Sequence, residues 1–169
     1  MARAEIAALL PKMETNPLSG RRLLELKGDA SIKHLAEAVA ISSGCQAILC
    51  NAVIWSWEQH QSLDALVTSV SEHIALHERE GSVAVRAWRH EGRIEGLGPS
   101  QLAQKIGGRF HDLGYAIDLE EPDNRFGVVL DASSNTIACG WMVGYGEESD
   151  GLAGRKGAER PFFKPVSLD

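Results

Sequence analysis

The chain has 169 residues, 44% of them hydrophobic and 24% charged, and a formal net charge of −6. That suits one compact domain or two small ones and excludes a surface coated all round in cations for nucleic acid. No apolar run approaches the roughly 20 residues that span a bilayer, Glu5 interrupts the apolar start, which argues against a signal peptide, and Cys45, Cys50 and Cys139 are too scattered for a disulfide framework, so a cytoplasmic protein with no membrane partner is expected.

In chain order, Ala2 to Leu10 reads as a helix with Ile6, Leu9 and Leu10 on one side and ends at Pro11. Asn16 to Gly20 is rich in turn formers and leads into a short strand, Leu23 to Leu26, broken by Gly28-Asp29. Asp29 or Ser31 can cap the next helix, in which Ile32, Leu35, Ala36 and Val39 recur at helical spacing before Gly44. Ala47 to Trp57 is rich in strand formers. Ser62 then opens a helix with an apolar stripe through Leu63, Leu66, Val67, Val70 and Ile74, with Gly81 as its stop. Ser82 to Trp88 alternates as a strand, with Val83, Val85 and Ala87 on one face. A loop, Gly92 to Gly98, feeds Pro99 at the first turn of a helix on which Leu102, Ile106, Phe110 and Leu113 share a face, with Gly114 placed just past its end. A hairpin follows, Phe126 to Leu130 and Thr136 to Val143, and Gly144 to Lys164 has the composition of a linker. The fold class is α/β (α+β), with two small mixed-sheet units.

Local patterns give little support to catalysis. His73 and His77 stand at i and i+4, but Ile74 occupies the place where the zinc-hydrolase pattern needs Glu, and the apolar stripe turns both rings towards solvent. Cys45 and Cys50 lack the paired spacing of a zinc site and read as core residues. Gly96-Leu97-Gly98-Pro99-Ser100 lies between a strand and a helix, yet lacks the third glycine or the Lys-Ser/Thr pair of a nucleotide loop. A helix start can hold one phosphate through its free N–H groups, and turn chemistry explains these residues equally well. Glu120-Glu121 before Pro122 reads as a solvated loop.

Charge is segregated along the chain. Arg86, Arg89, Arg93, Lys105 and Arg109 face only Glu91 and Glu95 in their stretch. Arg155, Lys156, Arg160 and Lys164 face only Glu159, while Asp112 to Asp150 is acidic apart from Arg125. A local basic surface on an acidic body follows, or else ordinary solvated faces.

The second unit resembles a THUMP domain, an RNA-binding α/β module of RNA-modifying enzymes. The resemblance rests on Ser82-Val83-Ala84-Val85-Arg86, the helix Gln101 to Gly107, Ala116-Ile117-Asp118-Leu119-Glu120-Glu121-Pro122-Asp123, and Phe126 to Leu130. Arg160-Pro161-Phe162-Phe163-Lys164-Pro165 is similar to the segment that joins this domain to the catalytic domain in archaeal-type tRNA guanine-N2 methyltransferases. Ala2 to Leu10 is similar to the first helix of that family's ferredoxin-like N-terminal domain.

The resemblance implies a ferredoxin-like domain over residues 1–60 that lacks its first strand, a THUMP domain over 61–150 and a linker over 151–169. It also implies a tRNA-binding chain that holds the 3′ acceptor end for a C-terminal methyltransferase domain using S-adenosylmethionine. Nothing in the sequence is similar to that domain's Gly-rich cofactor loop or its Asn/Asp-Pro-Pro-Tyr motif. The chain itself is therefore expected to be non-catalytic, with no cofactor and no metal. The expected RNA-binding residues are Arg86, Arg89, Arg93, Lys105, Arg109, Arg155 and Lys156 for phosphates, with Trp88, on the strand face of Arg86, as a stacking platform. A tryptophan in a strand is more often core. The alternatives are a small α/β ligand-binding domain, marked by a deep pocket with perturbed titratable groups, and a protein-interaction module, marked by an exposed apolar patch.

Overall fold

A computed structural model describes residues 2–18, 23–45, 47–60, 62–90 and 92–143. It is a mixed α/β structure of two compact units divided at Ile48–Leu49, the second extending to Trp141. The expected fold class is the one observed. The linker expected from Gly144 to Lys164, with Arg155, Lys156, Phe162 and Phe163, lies outside the described residues.

In the first unit, helix α1 (Ala2–Leu9) turns out of its last turn ahead of Pro11, which cannot continue it. Strands β1 (Glu14–Pro17) and β2 (Leu24–Lys27) pair antiparallel, Glu14 opposite Lys27 and Pro17 opposite Leu24. The turn read from Asn16-Pro17 is thus a correction: both residues end a strand, where proline is tolerated because β1 has an open side. Helix α2 (Ile32–Ile41) starts where Ser31 Oγ accepts from the N–H of His34 at 3.2 Å. A serine cap of this kind is worth about 1 kcal/mol. The helix buries Leu35, Ala38 and Val39 and stops at Ser42, short of Gly44. The Glu5 carboxylate of α1 accepts from Ser42 Oγ at 3.0 Å and from the Ser43 N–H at 2.9 Å.

The second unit is a four-stranded sheet with two helices in its core. Strand β3 (Ile48–Ser56) runs into a single helical turn, α3 (Trp57–His60), which the strand-like composition concealed. Helix α4 (Leu63–Leu76) is capped by Ser62 Oγ on the Ala65 N–H and buries Leu66, Val67, Val70 and Ile74. It ends before the expected Gly81, at the cap residue His77. Strand β4 (Val83–His90), helix α5 (Pro99–Asp112), and strands β5 (Asn124–Asp131) and β6 (Thr136–Val143) complete the unit. The strand order is β3-β6-β5-β4, with β4 parallel to β5 and β5 antiparallel to β6.

Val83, Val85 and Ala87 meet Leu102, Ile106 and Phe110 of α5 and the apolar stripe of α4 in one continuous core. Phe110 sits edge-on to Tyr115, Phe126 and Trp141, with ring centroids 5.0 to 5.5 Å apart. Such pairs add about 0.5–1.5 kcal/mol each beyond burial. Gly140 lets β3 approach β6 closely, since a Cβ there would meet the Cys50 carbonyl oxygen at 2.7 Å. Cys45 and Cys139 are buried, and Cys139 is so desolvated that its thiol pKa is pushed well up.

Candidate nucleic-acid interface

The stretch from Ala116 to Asp123 is scaffold. Ile117 lies beside Val83, whose N–H donates to the Ala116 carbonyl at 2.9 Å while its carbonyl accepts from Asp118 N–H at 3.1 Å. The Asp118 carboxylate accepts from the N–H groups of Glu120 and Glu121, both at 3.0 Å, which holds its pKa below the usual carboxylate range. Asp123 Oδ2 accepts from Ser82 N–H at 2.8 Å and faces Gly81, whose φ of +99° and lack of Cβ leave room for it. These contacts fix the start of β4, and so aim the residues that follow.

Alternation along β4 places Arg86 and Trp88 on the face opposite Val83, Val85 and Ala87. Arg86 Nη2 donates to the Leu119 carbonyl at 3.0 Å. Trp88 is half-buried, and its Nε1 is buried with no hydrogen-bond partner among the described residues. Arg89 points to the other face, beyond the core, and is exposed. In the loop after β4, Ile94 and Leu97 are buried and pair with each other, so Arg93 and Glu95 project outward. Gly92 and Gly96 take positive φ values of 100° and 76° to make that loop. Neither Arg89 nor Arg93 has a hydrogen-bond or ion-pair partner among the described residues.

Lys105 and Arg109 are exposed on the flank of α5 that faces α4. Lys105 Nζ donates to Asp64 Oδ1 at 2.9 Å. That hydrogen bond, the Lys105 charge and the more distant Arg109 charge hold the Asp64 carboxyl below its ordinary pKa. From Pro99 to Arg109 the helix rises about 15 Å. The fold therefore puts Arg89 near the end of β4 and Arg93 in the loop after it, sets Lys105 and Arg109 along α5, and turns Arg86 and Trp88 to the other sheet face. Asp64 escaped the sequence reading because 41 residues separate it from Lys105.

The two histidines on α4 are a correction to the solvated face expected for them. Both are half-buried, with ring centroids 4.7 Å apart. His73 Nε2 is 2.6 Å from the Asn51 carbonyl oxygen, and its ring meets Trp55 edge-on. No group of three or more metal-ligating side chains occurs among the described residues. No helix among them is long and apolar enough to cross a membrane. The first unit holds a groove of about 410 Å³ whose lining includes Leu9, Met13, His34, Glu37 and Ile41.

No protein-family model and no curated protein matches the sequence. Solved structures do match. PH1313 from Pyrococcus horikoshii superposes with a TM-score of 0.52 at 13% identity, over 84% of this chain and 48% of its own. TrmN from Thermus thermophilus gives 0.55 at 20% identity, over 82% and 40%. A 4-thiouridine synthetase, solved as an RNA complex with bound ATP, gives 0.51 at 12% identity, over 84% and 36%. The chain spans less than half the length of each. At these identities the similarity is one of fold, and that fold is THUMP-like.

Proposed function

We propose that this chain is the RNA-binding module of a tRNA-modifying protein and that it engages the acceptor end of tRNA. One observation carries the reading: Arg89 and Arg93, both in the sequence's basic stretch, stand exposed with no hydrogen-bond or ion-pair partner among the described residues, on a fold shared with a 4-thiouridine synthetase solved with RNA. Arginines without internal partners keep their donors for phosphate. In the finer form of the proposal, a C-terminal tRNA guanine-N2 methyltransferase domain supplies S-adenosylmethionine chemistry, and this chain sets the distance from the acceptor end to the target guanosine. The interdomain segment is then Arg160 to Pro165, with Arg155 and Lys156 as further phosphate contacts. Support for this finer form comes from the sequence resemblance.

The test is tRNA binding by fluorescence anisotropy across a salt series. Each phosphate neutralised on a single strand contributes a slope of about −0.7 in log K against log salt. Replacing Arg89, Arg93 and Arg109 together by Ala lowers affinity and flattens the slope, by up to about 2 if all three contact phosphate. An unchanged slope in the triple variant contradicts the assignment.

A further inference from the structure

Among the described residues, strand β4 is the last strand of its sheet, beyond β5. The direction of its main-chain groups is fixed at its start. The Ser82 carbonyl accepts from Asn124 N–H at 2.9 Å on the β5 side, whereas Val83 exchanges both its hydrogen bonds with Ala116 and Asp118 on the outer side. The two-residue repeat of a strand then turns the N–H and C=O of Ala87 and Arg89 outward too. Beyond Val83, the main chain of those residues has no partner on that side among the described residues. The edge thus shows donor–acceptor pairs spaced about 6.6 Å apart, two residues of strand rise.

An unpaired nucleobase carries a donor beside an acceptor on its edge, as adenine does with N6–H and N7, and single-stranded RNA exposes such edges to protein. Around this strip lie Arg86 and Arg89 on the strand and Arg93 beyond it, and Val83–His90 contains no acid. Charged side chains on an edge strand discourage a further protein strand. A polyanion is favoured by the same charges.

We infer that the outer edge of β4 holds unpaired bases of single-stranded RNA, with base edges hydrogen-bonded to the main chain of Ala87 and Arg89 and phosphates on the side chains of Arg89 and Arg93. The inference rests on the RNA-binding reading and deepens it.

The experiment uses the whole chain and an unstructured RNA oligonucleotide of roughly eight nucleotides, within the range of single-strand sites. Amide hydrogen exchange is followed with and without it. The Ala87 and Arg89 amides exchange fast in the free protein and slow at saturating RNA, while those of Arg86 and Trp88, which face β5, are slow in both. Ala87→Pro removes only the outward donor, a substitution edge strands tolerate, and is expected to weaken binding about tenfold, which corresponds to about 1.4 kcal/mol. Binding without protection of Ala87 and Arg89 overturns this inference alone. Protection by an extended acidic peptide but not by RNA overturns it as well. No RNA binding by the unaltered chain overturns both readings. If Ala87→Pro fails to fold, the exchange pattern of the unaltered chain decides the question.

Discussion

Glu5 and Ser43 lie far apart in sequence, yet the Glu5 carboxylate accepts from the Ser43 N–H and the Ser42 and Ser43 hydroxyls. The Ser43 main-chain bond is the largest cause of its lowered pKa, and burial opposes it. Because the folded pKa is depressed, the stabilisation is present above the ordinary carboxyl range and is lost as pH falls through the lowered value. Glu5→Gln therefore lowers the thermal midpoint near pH 7, and the gap to the unaltered chain closes under acid conditions. Thermal melts across that range check this, and a gap that does not depend on pH contradicts it. At this scale the sequence was informative where chemistry is local. Ser31, Ser62 and Gly114 cap or end helices as read, since each acts within a turn of its own position. It was uninformative for Asp64, Leu119 and Asn51, whose partners Lys105, Arg86 and His73 come from other elements.

Helix α5 carries adjacent glycines, Gly107 and Gly108, in its interior, and a Cβ on either would meet nothing within 4 Å. Glycine in a helix costs roughly 0.5–1 kcal/mol against alanine. Gly107→Ala and Gly108→Ala should each raise stability by about that amount in denaturant unfolding, with destabilisation as the contrary outcome. The elements themselves were largely legible, because helices and the β5–β6 hairpin declare themselves by period and turn residues. β1 was hidden by Asn16 and Pro17, which favour turns, and α3 by the run of strand formers that flows into Trp57. Strand order was not legible. Past Val83 the outer side of β4 has no strand partner among the described residues, and no local pattern encodes that.

Over the whole molecule, a formal net charge of −6 opposes the approach of RNA except where cations are gathered. The sequence placed Arg86, Trp88, Arg89, Arg93, Lys105 and Arg109 in one stretch, but a stretch is not a surface. Strand alternation and the length of α5 divide these residues among three places, with Arg89 and Arg93 exposed at the end of β4 and in the loop after it. The central claim is that this chain engages the single-stranded 3′ end of tRNA. Its most direct test is the equilibrium binding, at low salt, of intact tRNA against the same tRNA trimmed of its unpaired 3′ nucleotides. The account predicts that trimming weakens binding about as much as replacing Arg89, Arg93 and Arg109 by Ala. Equal affinity for the trimmed and the intact tRNA would contradict it.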